Sequence, residues 1–219
     1  MPGRTIAIGD IHGCAMALEA LIAAIRPQPH DTIVTLGDYI NRGPDSRCVL
    51  DQLINLERRC RVVPILGNHD QMLLDVHSGK YPIYWLLDIG GVATLNSYRA
   101  GQDPSLIPDE HYAFLESCRD YHENETHIFA HANYYPDLPM SEQHVGILRW
   151  ESLRAMTPGP HESGKVAILG HTSQKGGEIL DLGHLVCIDT FCHGGGWLTA
   201  LDPATGEVWQ TNRRGGRRR

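Results

Sequence analysis

Ile6-Ala7-Ile8-Gly9-Asp10-Ile11-His12-Gly13 sets a short apolar run directly against a glycine and two side chains that bind cations. The arrangement recurs twice at similar spacing. Thr32-Ile33-Val34-Thr35-Leu36 leads into Gly37-Asp38-Tyr39-Ile40-Asn41-Arg42-Gly43, and Val62-Val63-Pro64-Ile65-Leu66 leads into Gly67-Asn68-His69-Asp70. Three later runs end the same way: His127-Ile128-Phe129-Ala130 at His131, Val166-Ala167-Ile168-Leu169 at Gly170-His171, and Leu185-Val186-Cys187-Ile188 at Asp189. Continuous apolar runs of this length suit strands buried on both faces. Helical stripes lie between the early runs. Cys14, Ala17, Leu18, Leu21, Ile22 and Ile25 form one; Val49, Leu50, Leu53 and Ile54 follow the start signal Pro44-Asp45-Ser46; Met72, Leu73 and Val76 form a short third. The order β-α-β-α-β-α predicts an α/β fold with a parallel sheet and helices packed on it.

In such folds the site lies at the C-terminal ends of the strands. Asp10, His12, Asp38, Asn68, His131 and His171 should therefore converge. The set mixes carboxylate, imidazole and amide oxygen without thiolate, which suits Mn²⁺, Fe or Zn²⁺ and is too nitrogen-rich for calcium. It also exceeds what one ion needs. Two ions with a shared carboxylate are the natural solution. A single Gly-Asp or a single histidine here would be an ordinary turn or a buried imidazole. Three such segments in order, each after a strand, are not a chance assembly.

Bulk composition bounds the rest. The chain has 219 residues, 42% hydrophobic, with both charge signs present, which excludes wholesale disorder. No apolar run is long enough to span a membrane. The N-terminus enters a strand-like run with no leader pattern, so no signal peptide is expected. Six cysteines without a CxxC read as reduced thiols in a cytoplasmic protein. The net charge is −7 although Arg213–Arg219 holds five arginines, so the body alone is at −12. That body is a poor nucleic-acid surface. The arginine-rich end, 213–219, reads as a solvated, disordered tail after a single domain over 1–212. The 13 histidines against three lysines are a weak pointer to metal.

The stretch around 78–125 carries no ligand motif. Tyr81, Tyr84, Trp85, Leu86 and Leu87 suggest a packed helix or lid inside a helical, polar insertion. Near the end, Trp197–Leu201, a Pro203–Gly206 turn and Val208–Gln210 predict a hairpin.

The three early segments resemble the GDxHG, GDxxDRG and GNH[DE] signatures of the PPP-type, calcineurin-like metallophosphoesterases. That family includes bacterial Ser/Thr protein phosphatases and symmetrical diadenosine tetraphosphatases. His131 and Gly170-His171 match its two later histidines, and Ile188-Asp189-Thr190 with Gly194–Thr199 resembles the closing strands of bacterial members. The resemblance runs from Ile6 to Gln210. It implies a four-layer sandwich, two mixed β-sheets flanked by helices. It also implies two divalent ions, most simply Mn²⁺. Asp10, His12 and Asp38 would hold the first; Asp38, Asn68, His131 and His171 would hold the second. A metal-bridging hydroxide would attack phosphorus directly. His69 would be the general acid, Arg42 the phosphoryl clamp, Arg149 a second clamp, and Asp189 a partner to a ligand histidine.

Two positions depart from the pattern. Asn41 stands where protein phosphatases carry an Asp that pairs with the acid histidine, so weaker acid catalysis is expected. The tetraphosphatase branch also lacks this Asp. The alternative is an inactivating replacement in a protein made to hold its ligand, which the phosphatase-like surroundings favour. Leu66 stands where eukaryotic phosphatases place an arginine. The leading expectation is a phosphoserine/phosphothreonine, or also phosphotyrosine, protein phosphatase acting on phosphorylated proteins or small phosphoesters. The alternatives are a symmetrical bis(5'-nucleosyl)-tetraphosphatase and a catalytically impaired phosphate-binding variant.

Overall fold

The computed structural model describes residues 3–218. Met1, Pro2 and Arg219, the ends on which the expectations for leader and tail partly fall, lie outside the described residues. The described chain forms two five-stranded sheets. The first is ordered β10-β9-β1-β2-β3, from β1 (Thr5–Ile8), β2 (Thr32–Thr35), β3 (Arg61–Pro64), β9 (Trp197–Asp202) and β10 (Glu207–Asn212). The second is ordered β4-β5-β6-β8-β7, from β4 (Tyr121–Glu123), β5 (His127–Ala130), β6 (Val166–Leu169), β7 (Leu180–Asp181) and β8 (Leu185–Cys187). Parallel pairing of β1 with β2 and of β2 with β3 is what the two crossover helices require. Both sheets gain antiparallel edge strands and so are mixed.

The helices α1 (Ala15–Ile25), α2 (Ser46–Glu57) and α3 (Asn68–His77) cover the outer face of the first sheet and share its core through Leu18, Leu21, Leu50, Leu53 and Leu73. Between the sheets lies a second apolar layer: Ala7, Val34, Leu36, Val63 and Ile65 from one side, Phe129, Ile168 and Ile188 from the other. The outer face of the second sheet packs on Tyr134, Met140, Leu148 and Leu153. Each central strand is therefore buried on both faces, which is why its sequence runs apolar without alternation. Phe129 is fully buried between the sheets. Phe129→Ala is expected to lower stability by about 3–5 kcal/mol in urea unfolding.

Two segments differ from expectation. The 78–125 stretch is mostly short helices: α4 (Tyr84–Leu86), a π-turn over Leu87–Gly91, α5 (Val92–Ser97) and α6 (Asp109–Glu116). It ends, however, as an edge strand, β4 of the second sheet. Leu95, Phe114 and Leu115 enter the main core. The polar look of α6 hid this because only one of its faces is apolar.

The arginine-rich end is also ordered as far as Arg218. Asn212 turns the chain back by accepting the Arg214 and Gly216 N–H groups on Oδ1. Arg217 then bridges to Thr211, and Arg218 pairs with Glu178. Composition read this end as solvent-exposed polymer; the Asn-Arg-Arg-Gly turn instead extends the β9–β10 hairpin. No described helix is long and apolar enough to cross a membrane, and all six cysteines are free thiols. The short α7 (Val145–Trp150) closes the second sheet beside the site.

Candidate metal centre

The loops after β1, β2, β3, β5 and β6 bring Asp10, His12, Asp38, Asn68, His131 and His171 together, nearly all buried. Their backbone is strained. Among the described residues, eight non-glycine positions have positive φ, and five of them, His12, Asp38, Asn41, Arg42 and His171, lie in these loops. Such strain persists only where packing over-determines it, which marks functional loops. Gly67 is required for a different reason: a Cβ there would stand 2.2 Å from Asp38 Oδ1. The glycine before Asn68 lets two donor-bearing loops touch.

Two groups of three side chains offer atoms close enough to share an ion: His12, Asp38 and His69, and Asp38, His131 and His171. Asp38 belongs to both. Its Oδ2 lies 3.4 Å from His12 Nε2 and 3.9 Å from His69 Nε2, and its Oδ1 lies 3.5 Å from His131 Nε2. Asp38 Oδ1 also accepts the His69 N–H at 3.0 Å. Asp10 stands in neither group; its carboxylate accepts the His171 N–H at 3.0 and 3.1 Å.

Hydrogen bonding to the backbone sorts the histidines. His12 Nδ1–H donates to the Ile40 carbonyl at 2.9 Å, and His131 Nδ1–H donates to the Leu36 carbonyl at 2.7 Å. In each case the carbonyl accepts only, so Nε2 is left as a lone pair facing inward. His171 turns Nδ1 to Asn68 Oδ1 at 3.1 Å. His131 Nε2 also faces Asn68 Oδ1 at 3.1 Å. Opposed lone pairs repel, and a cation between them relieves the repulsion.

His69 lacks a carbonyl anchor. Its Nδ1 meets the Asn41 Nδ2 amide at 3.0 Å. That amide donates, so the His69 proton sits on Nε2, toward Asp38 and the centre. The two carbonyl-anchored imidazoles, His12 and His131, present lone pairs, whereas His69 presents a donor.

Electrostatics favours a divalent cation at this position. Burial raises Asp38 to about 7 and raises Asp10 well above the usual carboxylate range, with Asp189 and Asp38 adding repulsion on Asp10. Burial lowers His131 to about 4, His171 to about 3 and His69 to about 2, helped in each case by nearby positive charge, and lowers His12 well below its ordinary value. Clustered buried carboxylates and neutral imidazoles aimed at one volume fit divalent cations of the borderline class.

The supporting residues divide less simply. Arg42, at φ 66, donates from Nη1 to His12 Nε2 at 3.0 Å. Arg149 is not a free surface arginine. It is held by Gln71 and Asp120 and keeps a buried Nε without a partner among the described residues. Asp189 does not pair with a histidine, as the sequence suggested. Its carboxylate accepts from Ser173 Oγ at 2.5 Å and from the Phe191 N–H at 3.1 Å. The reason is topological, because the turn after β8 directs it at the loop after β6. Thr94 was not foreseen at all. It donates to Asn41 Oδ1 at 2.8 Å, and Ser46 lies 2.9 Å from the same hydroxyl. Asn41 is fully buried, every polar atom of its amide is partnered, and its φ of 69 suits an asparagine. Thr94 belongs to the segment without motifs, so no local signal could have flagged it.

The calcineurin-like phosphoesterase model matches residues 3–174. The chain belongs to the calcineurin-like phosphoesterase family. Serine/threonine-protein phosphatase 1 of Salmonella typhimurium (strain LT2) is 31% identical over 198 residues, covering 88% of both chains. The symmetrical bis(5'-nucleosyl)-tetraphosphatase of Acidovorax sp. (strain JS42) is 50% identical, but over 68 residues and 24% of its length. A solved structure proposed to be a diadenosine tetraphosphatase superposes with a TM-score of 0.72 at 25% identity, covering 96% of this chain and 94% of its own. A cold-active protein tyrosine phosphatase shares the fold, with a TM-score of 0.69 at 16% identity over all of this chain and 78% of its own. Family membership makes this phosphoesterase a hydrolase that uses divalent metal, and the two ligand groups are where this chain can hold it.

Proposed function

We propose that this phosphoesterase is a two-metal phosphatase that releases phosphate from phosphoserine or phosphothreonine in proteins. The observation that carries the reading is the convergence of His12, His131 and His171 with Asp10, Asn68 and the shared Asp38. His12, Asp10 and Asp38 would hold one ion; Asp38, Asn68, His131 and His171 would hold the other. When bound, the pair of ions, most simply Mn²⁺, acts as a Lewis acid and supplies hydroxide at neutral pH. Arg42 swings from His12 to clamp the phosphoryl oxygens with its planar fork. Arg149 stays tied to Gln71 and Asp120 and offers its unpaired Nε as a weaker second contact. His69 Nε2 points its proton at the leaving oxygen, and Asn41 sets the ring orientation. The free thiols fit a reducing cytoplasm.

Full-length similarity to a Ser/Thr phosphatase supports the monoester substrate. The tetraphosphatase reading draws on Asn41, whose well-partnered amide needs no Asp. One assay separates the two: Mn²⁺-dependent phosphate release from a phosphoserine peptide against cleavage of diadenosine tetraphosphate. Turnover of the peptide, abolished by chelator and restored by Mn²⁺, is the expected result. Turnover of the dinucleotide alone would overturn the phosphatase reading.

Asn41 also sets a testable ceiling on rate. Its Nδ2 donor opposes a proton on His69 Nδ1, so it disfavours the imidazolium that acid catalysis uses. Asn41→Asp places an acceptor there, and kcat for the peptide should rise about tenfold. Steady-state kinetics with Mn²⁺ read this directly, and an unchanged kcat removes Asn41 from the acid step.

A further inference from the structure

Beside His12 the surface opens into a pocket of about 500 Å³ lined by His193, Gly194, Gly195, Gly196, Asn212, Arg213 and Arg214. Its inner wall is His193, whose ring stands edge-on to His12 with centroids 4.6 Å apart. The pocket therefore begins one side chain away from the candidate metal centre. His193 Nδ1 is buried with no hydrogen-bond partner among the described residues. The outer wall is cationic. Neither Arg213 nor Arg214 makes an ion pair among the described residues, whereas Arg218 on the same turn is committed to Glu178. The turn is stiff, because Asn212 Oδ1 takes two backbone N–H groups and the Asn212 carbonyl takes the Gly215 N–H. The facing loop is equally constrained: a Cβ on Gly196 would stand 2.0 Å from the Thr190 carbonyl oxygen.

We propose that this pocket binds an acidic side chain one or two residues from the phosphorylated residue, so that the substrates are acidic phosphoprotein segments. The inference rests on the phosphoprotein reading above. Two arginines without ion-pair partners among the described residues, on an otherwise acidic body, are complementary to carboxylate. An extended peptide advances about 3.3–3.6 Å per residue, so a side chain one or two residues from the phosphorylated one can cross the single ring that separates the pocket from His12.

The test uses paired phosphoserine peptides identical except for Glu or Gln at the two positions flanking the phosphoserine on either side. The wild-type protein with Mn²⁺ should prefer the Glu peptides about fivefold in kcat/KM, the scale of two exposed charge contacts. The Arg213→Ala/Arg214→Ala double variant should bring that ratio near one, and Arg213→Glu/Arg214→Glu should invert it. Raising salt should shrink the wild-type ratio. A wild-type ratio of one, or a ratio retained in the double variant, overturns the proposal. Fluorescence anisotropy of the same labelled peptides on the metal-free protein reads the pocket apart from turnover. If no peptide is hydrolysed but the Glu peptides bind about fivefold better and lose this in the double variant, the phosphatase reading fails and the pocket stands. If the double variant weakens ADP and leaves the Glu peptides untouched, the pocket serves a nucleotide and the peptide assignment is wrong.

Discussion

Asp38→Asn lowers kcat by about 10²–10³-fold and removes the thermal stabilisation that divalent cation gives the wild-type protein. Asp38 is the residue common to both candidate ligand groups, and its two oxygens face different histidines. Asparagine has the same shape, and its oxygen can still accept the His69 N–H that Asp38 Oδ1 takes at 3.0 Å. The substitution therefore removes charge and leaves the loop in place. Without metal the sign reverses. Burial raises Asp38 to about 7, so without a cation its charged form is disfavoured. Asp38→Asn relieves this, so the metal-free variant should melt no lower than the metal-free wild type. Melting curves with chelator and with Mn²⁺ test both halves. A variant that keeps the Mn²⁺-induced rise would show that Asp38 does not hold the ions.

His69→Asn lowers kcat by about 10²-fold or more and leaves the Mn²⁺-induced stabilisation intact. The two outcomes together separate a proton donor from a ligand. Proximity alone groups His69 with His12 and Asp38. Hydrogen bonding distinguishes it, because Asn41 rather than a backbone carbonyl meets its Nδ1. A ligand would lose metal on substitution; a donor would lose only the chemical step. His131→Asn is the matched control and should lose the cation's stabilisation along with activity. Equal loss of stabilisation in both variants would assign His69 to metal.

The route from sequence to site was short where the chemistry is local. Each run from Thr5 to Ile8, Thr32 to Thr35 and His127 to Ala130 is a strand, and the cation-binding side chain follows within a few residues. A strand end in an α/β sheet has a fixed address, so the six candidate ligands could be named and placed from pattern alone. Asp70 closes the segment Gly67-Asn68-His69-Asp70, but its role came only from the structure. It accepts the Gly67 and Tyr39 N–H groups and so fixes the start of α3 on which Asn68 and His69 sit.

What could not be read locally depends on which segment arrives from far along the chain. Thr94 reaches Asn41 from 53 residues away. The Leu36 carbonyl orients His131 from 95 residues away, and Gln71 with Asp120 fixes Arg149. None of these has a motif, because a hydroxyl or a carbonyl carries no signature until a fold aims it. The arginine-rich end shows the same limit. Its composition resembles disordered tails, yet Asn212 and the β9–β10 hairpin give Arg213 and Arg214 a fixed position beside His193. The sequence by itself determined the fold class, the ligand types and the strand ends that carry them, because these follow from short-range periodicity. Only the tertiary structure decided which imidazoles present lone pairs, what partners Asn41 and Asp189 take, and where the free arginines face. Those are contacts between distant segments, and packing alone creates them.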